Sequence, residues 1–363
     1  MAVQTQTLKF VTRTGEITLD WAMENSSLPK RDIVVVGASA GGVEALLGFF
    51  RALPADLDAA ILVVLHIPAH TPSQLDRVLA TATQLPVIIA KDGERIEHGR
   101  VYVASADRHL MVTPQGIRLS RGPKEGRARP SIDVLFRSAA TAFGSRVIGV
   151  VLSGALDDGT AGLWAIKDHQ GSTLVQIPSQ AEHASMPESA IAHVQVDFVG
   201  TVEALAAQVG KLVGTAAPVA ADAASRARLS MENDIAMEGN ALKAGVMSLG
   251  EVSKYTCPDC HGVLVQITEG PIVRFRCHTG HAFSLKTLIA EINEAIDKGL
   301  WDTLRAVEER VMLLRQMQSL ALAAGASDEA AQFRSQADES EKRLQPLRDL
   351  VLDPHFFGHE SKG

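Results

Sequence analysis

The 363-residue sequence has no run of about 18 or more consecutive apolar residues, so it offers no membrane span. Its opening, MAVQTQTLKFVTRTGEITLDW, lacks the apolar core of a secretory signal. Basic residues are not in excess. Thirty-five Lys and Arg against 42 Asp and Glu leave a net charge of -7 and a pI near 6.0, which argues against broad nucleic-acid binding. Aromatics are scarce at 4%. Cysteine is scarcer still: three, all between 257 and 277, two of them as C-x-x-C. An odd count in that spacing favours a reduced compartment and metal ligation over a disulfide framework, so a soluble cytoplasmic protein is expected. What remains is globular, at 46% hydrophobic and 21% charged, and long enough for two domains or one with large appendages. Nothing repeats at a fixed period.

Residues 1–30 are polar and read as an arm with one short strand at LKFVTR. From Asp32 apolar runs (IVVVG, AAILVVLH, LPVIIA, RVYVA, RVIGVVLSG, STLVQI) alternate with helical-period stretches such as GGVEALLGFFRAL and SIDVLFRSAATAF. Strands apolar on consecutive positions are those buried on both faces, and their alternation with helices predicts an α/β doubly wound, mostly parallel sheet over 31–213. GRVYVASADRHLMVTPQGIRLSR has no room for helices and predicts an antiparallel excursion. GTAAPVAADAASRA is small-residue rich and places a linker over 214–251. A Cys- and His-bearing module over 252–283 follows, then helical patterns near 284–323 and 327–352, split at AAGAS, that predict an antiparallel hairpin within 284–363.

DIVVVGASAGGVEALLGFF puts Ser39 at a tight strand-to-helix turn. In G-x-S-x-G such a serine projects from the carboxyl end of the sheet, with backbone N–H groups nearby to receive an oxyanion. Two other readings fit the same turn: a phosphate-cradling loop and a plain turn. A dinucleotide fingerprint, however, wants glycine where Ser39 stands and an acid at the end of the second strand, where His66 stands. His66 closes that strand beside the first turn and is placed to act as a general base. His70 is a rival, beyond Pro68. A third strand end, VVLSGALDDGTAGL, supplies Asp157 and Asp158. One of the two is expected to cap the following helix and the other to face the crevice and orient the imidazole.

With VVVGASAGGVEAL, VVLHIPA, GRVYVASADRHLMV, RPSIDVLFRSAA, VVLSGALDDGTAGL and ASMPESAI in family order, residues 32 to about 210 resemble the CheB-type chemotaxis protein-glutamate methylesterases. The resemblance implies a nucleophile at Ser39, a base at His66 and the carboxylate at Asp158. It also implies oxyanion donors among the backbone N–H groups of Ala38, Ala40 and Ala155, the last standing where the family has methionine. Asp157 replaces a family asparagine. The implied reaction is hydrolysis of glutamyl methyl esters on a chemoreceptor-like protein, with deamidation of glutamine through the same intermediate and no catalytic cofactor. Gly41, Gly42, Arg129, Met186 and Pro187 fall in matched segments. The family's regulatory member carries a phosphoacceptor receiver ahead of this domain. Only about 31 residues stand there, so control by a separate protein or by the C-terminal appendage is expected. A noncatalytic scaffold module is the alternative, and a nucleotide-binding oxidoreductase a third.

YTCPDCHGVLVQITEGPIVRFRCHTGHAFS holds Cys257 and Cys260, then sixteen residues, then Cys277, His278 and His281. That is zinc-ribbon spacing, with structural Zn2+ favoured over a redox C-x-x-C. Cys277 is the third ligand, His281 the fourth, His278 its alternative. The segment also resembles a zinc-binding tail found on some CheB-like proteins. The helices behind it are expected to pack or to form a homodimer, with docking on a receptor bundle or covering the active site as alternatives.

Overall fold

IVVVGA is apolar on six consecutive positions, and in the computed structural model it is a central strand buried on both faces. The structure describes residues 5–12, 15–22, 29–67, 73–218, 223–238, 240–353 and 356. His70 lies outside them. β1 (Thr5–Thr12) and β2 (Gly15–Ala22) form an antiparallel hairpin, so the arm carries two strands where one was expected.

The α/β region follows as β3 (Ile33–Ala38), α1 (Gly42–Ala52), β4 (Ala60–Leu65), α2 (Leu75–Ala80), β5 (Val87–Ile89) and β6 (Arg100–Val103). Next come β7 (His109–Thr113), β8 (Gly116–Ser120), α3 (Ile132–Phe143), β9 (Val147–Val151) and α4 (Thr160–Asp168). β10 (Ser172–Gln176), α5 (Ser185–His193), β11 (Phe198–Gly200) and α6 (Val202–Leu212) complete it. Seven strands pair in the order β11-β10-β9-β3-β4-β6-β5, and every pairing is parallel. The predicted antiparallel excursion is confined to the β7–β8 hairpin, because RVYV pairs in parallel with β4 and β5. Val34, Val36, Ile61 and Val63 pack against α1, α2 and α6, whereas Ile33, Val35, Leu62 and Val64 face α3 and α4. This alternation on a two-faced sheet is why the strands read as unbroken apolar runs. The chain builds outward from β3 through β4, then returns to build through β9 on the other side. The strand order thus reverses at β3, and a crevice opens there at the carboxyl ends.

The expected linker is not one. It contains α7 (Ala223–Glu238), which lies along α3 with Leu229 in the domain core and Glu232 fully buried. Ser120 Oγ donates to the carbonyl of Ala236 at 2.5 Å. Small-residue composition concealed a helix whose buried face sets Leu229, Ile235 and Ala236 beside a charged glutamate held by arginine partners. A four-stranded antiparallel sheet follows, β12 (Glu251–Thr256), β13 (Val263–Glu269), β14 (Ile272–Cys277) and β15 (Ala282–Ser284). α8 (Leu285–Ala323) and α9 (Ser327–Val351) then form the predicted hairpin, clasped by Arg315 to Asp338 at 2.7 Å and by Arg348 to Glu308. Among the described residues no helix is long and apolar enough to cross a membrane.

Candidate active site

Ser39 is the first residue past β3. Its N–H donates to the carbonyl of Ser153, just past β9, at 2.9 Å, and its own carbonyl accepts from Gly42 N–H at 2.8 Å. Gly41, at φ 67° and ψ 3°, fills the left-handed position of a type II turn. A Cβ there would stand 2.6 Å from Cβ of Glu182. Gly42 opens α1, where a Cβ would meet that of Ala38 at 2.7 Å. The turn therefore tolerates little but glycine at either position. Ser153 Oγ donates to the Ala40 carbonyl at 2.8 Å and accepts from His183 N–H at 3.0 Å, which ties the turn to the next strand end.

His66 follows β4, its N–H bonded to the Ala38 carbonyl at 3.1 Å. The imidazole Nδ1 lies 3.0 Å from Ser39 Oγ, and Nε2 lies 2.7 Å from Asp158 Oδ2. An ionised carboxylate only accepts, so Asp158 holds the proton on Nε2 and leaves the Nδ1 lone pair facing the serine. Asp158 is buried and also accepts from the N–H groups of Ile132 (2.8 Å), Asp133 (2.9 Å) and Gly159 (2.9 Å) and from Ser131 Oγ (3.1 Å). The first two belong to the N-terminus of α3, where a carboxylate is favoured. Burial is the largest influence on Asp158 and works toward protonation. The His66 hydrogen bond and charge, with the Ile132 and Asp133 N–H groups, outweigh it and hold the carboxyl below its ordinary range. Burial and the neighbouring Asp158 push Asp133 well up instead.

Neither member of the aspartate pair caps α4, whose N-cap is Gly159. Asp157 accepts from Ser284 Oγ at 2.8 Å, at the start of α8. Burial raises it. Ala38 ends β3 in register with Leu65. Among the described residues, the N–H groups of Ala40 and Ala155 donate no hydrogen bond. Arg129 binds Asp107 at 2.9 and 2.6 Å, while Met186 and Pro187 are buried in α5. Met186 backs the Ser39 turn: a Cβ on Gly154 would meet its Sδ at 2.5 Å and Ser39 Cβ at 2.9 Å. The cleft in front of Ser39 and His66 has a volume of about 470 Å³, and its rim includes Lys124, Arg127, Leu156 and Thr287. The sequence reading passed over Ser131, Arg127 and Thr287. Ser131 had a signal, since it opens a helical pattern inside RPSIDVLF.

The second cluster joins Cys257, Cys260, Cys277 and His281, whose ligand atoms all lie within 4.8 Å of one another. Cys260 Sγ is 3.6 Å from Cys277 Sγ, and Cys257 Sγ is 3.6 Å from His281 Nδ1. A tetrahedron of Zn–S bonds about 2.3 Å long has edges of about 3.8 Å, so three thiols and an imidazole at this spacing fit that ion. His278 packs against Gly262, where a Cβ would stand 2.1 Å from its Nδ1.

The profile of the CheB methylesterase family matches residues 34–209. A Leptospira interrogans protein, provisionally named protein-glutamate methylesterase/protein-glutamine glutaminase, is 38% identical over 176 residues, 48% of this chain and 91% of that protein. The chain belongs to the CheB methylesterase family. A Geobacter metallireducens protein-glutamate methylesterase/protein-glutamine glutaminase is 40% identical over 46% of this chain and 47% of its own length. The CheB methylesterase catalytic domain of Thermotoga maritima is 31% identical, with a TM-score of 0.49 over 51% of this chain and all of that one. Ser39, His66 and Asp158 fall inside the CheB match, and the cysteine cluster falls outside it.

Proposed function

We propose that this chain hydrolyses γ-methyl esters of glutamate side chains on a chemoreceptor-like protein, and deamidates glutamine at the same site. The observation that carries the reading is the hydrogen-bonded series Ser39, His66, Asp158 at the crevice where strand order reverses. Ser39 Oγ attacks the ester carbonyl as its proton passes to His66 Nδ1, and the Asp158 carboxylate stabilises the imidazolium through Nε2–H. The uncommitted N–H groups of Ala40 and Ala155 receive the oxyanion. When the tetrahedral intermediate collapses, His66 returns the proton to the leaving methoxide, and methanol departs. Water then attacks the acyl-serine, its proton going to His66 and on to Ser39, and glutamate is released. An amide follows the same course with ammonia as the leaving group.

The division into an esterase unit over 31–213 and a metal-bearing module over 252–283 is part of this reading. Cys257, Cys260, Cys277 and His281 would hold a structural Zn2+ with every position filled by protein, and the ion would supply cross-linking, with no role in ester chemistry. A cytoplasmic location suits free thiols. A separate regulatory protein and a homodimer through α8 and α9 complete the proposal. The test is methanol release from methylated chemoreceptor cytoplasmic fragments. Release that vanishes in Ser39→Ala is expected. No release from the folded, zinc-loaded chain would favour a scaffold role.

A further inference from the structure

The cleft rim carries an arginine held in an expensive conformation. Glu125 and Ala128 exchange backbone hydrogen bonds of 3.2 and 3.0 Å around Gly126 (φ 57°) and Arg127 (φ 71°). Two positive φ values make a type I′ turn, whose second central position suits glycine. A non-glycine residue there is strained and persists where its surroundings over-determine it. The surroundings do so here. The Glu125 carboxylate is buried and gripped by Arg137 and by Arg276 of β14, while Gly126 N–H donates to the Ala282 carbonyl at 2.9 Å. The result presents the Arg127 guanidinium at the mouth of the cleft that holds Ser39 and His66.

Of the rim's other cations, Arg129 is committed to Asp107 and to the carbonyls of Arg121 and Gly122. Arg127 is engaged by α8 instead. Glu291 reaches its Nε at 2.5 Å, and Glu294 reaches its Nη2. These glutamates stand three residues apart and so share one helix face. Thr287, one turn earlier, lines the cleft itself. In this structure, then, the mouth of the cleft already holds a helix presenting two carboxylates.

We propose that Arg127 is a carboxylate-binding subsite for an acidic helical segment of the substrate, and that Glu291 and Glu294 occupy it in cis. The proposal rests on the esterase reading for what is cleaved, but it concerns binding and is tested without turnover. α8 is a tethered competitor: a substrate helix with its own acidic pair must displace it, and removing those charges frees the subsite.

The probe is a synthetic helical peptide with two glutamates three residues apart and one glutamate γ-methyl ester. It is titrated by fluorescence anisotropy against full-length protein carrying Ser39→Ala. Glu291→Gln with Glu294→Gln should tighten binding about tenfold, the scale of two partly exposed ion pairs. The same variant should leave a peptide with glutamines in place of the acidic pair unchanged. Added to that double variant, Arg127→Gln should abolish the difference between the two peptides, and Arg127→Lys should restore part of it. Equal tightening for both peptides would mean that α8 only fills space, and would overturn the proposal. So would unchanged binding in the double variant, or, with Glu291→Gln and Glu294→Gln in place, acidic-peptide binding in Arg127→Gln equal to that with Arg127 intact. Circular dichroism of each variant separates these results from unfolding. Failure of the esterase reading shows separately, as absent methanol release from the chain with Ser39 in place.

Discussion

Arg276 on β14 and Glu125 in the loop before α3 meet 151 positions apart in sequence, Nη2 to Oε1 at 2.9 Å, both buried. Arg276 also reaches Glu232 at 2.7 Å, and Arg274 pairs with Glu232 and Glu269, so β14 meets α7 and the loop before α3 through a buried charged cluster. Removing one member strands the others. Arg276→Met is expected to lower unfolding free energy by about 3–5 kcal/mol, as breaking a buried pair does. The urea midpoint checks it, and an unchanged midpoint would mean the seam carries little of the stability.

Asp158→Asn replaces a pure acceptor by a group that can also donate to Nε2. The favoured tautomer then carries its proton on Nδ1, facing Ser39, and the base is lost. A kcat decrease of about 10³–10⁴ is expected, with KM little changed. Asparagine keeps Oδ1 for the Asp133 and Gly159 N–H groups, while the Ile132 N–H loses its acceptor at Oδ2, so a drop in thermal midpoint on the scale of one lost buried hydrogen bond should accompany the rate loss. A loss under tenfold would remove Asp158 from the proton relay.

Gly154→Ala tests the positioning of the nucleophile. The added methyl would meet Met186 Sδ at 2.5 Å and Ser39 Cβ at 2.9 Å, so one of them must move. Displacing a nucleophile by about 1 Å can cost about 100-fold in rate. The expected outcome is a fall of that order in methanol release, while the His66 and Asp158 contact survives. Full activity would show that Met186 yields and Ser39 does not.

How far the fold could be read in advance depended on how local its causes are. β3, β4 and β9 were legible because two-faced burial leaves unbroken apolar runs, and the strand order then brings Ser39, His66 and Asp158 to one crevice. The gathering of Cys257, Cys260, Cys277 and His281 was legible from spacing alone. α7 was not, because a charged residue, Glu232, interrupts its buried Leu229, Ile235 and Ala236 and is held there by arginines from α3 and β14. Nor was the contact between Ser284 and Asp157, which spans 127 positions and depends on how the module docks. Arg127 was hidden for the same reason: its partners lie on α8.

Acid should loosen the seam. Glu125 and Glu232 are both held below their ordinary value of 4.5; burial opposes this, but the surrounding arginines outweigh it. A depressed carboxyl contributes stability that is complete above its unfolded pKa and is lost as pH falls through the folded one. Asp133, raised by burial and by Asp158, has the opposite sign: its contribution is greatest in acid and is lost as pH rises through its folded value. Urea unfolding between pH 7 and 3 should show stability falling below about pH 4.5, with a slope near 1.4 kcal/mol per pH unit for each proton taken up. Glu232→Gln should flatten that slope. An unchanged slope would locate the acid sensitivity elsewhere.

Removing the metal should undo the module before the esterase unit. β12 to β15 enclose a small core of Leu264, Phe275, Phe283 and Leu288 around Cys257 and Cys277, too slight to hold a four-stranded sheet unaided. The sheet also aims Arg274 and Arg276 at the seam, and β15 leads directly into α8. Metal analysis of the purified chain is expected to find about one zinc per molecule, and Cys277→Ser to lose it. Chelation should then expose residues 252–283 to protease while the region matched by the CheB profile, with its separate core on both faces of a parallel sheet, stays resistant. Zinc content and protease resistance unchanged in Cys277→Ser would refute the assignment of this cluster as a structural metal site.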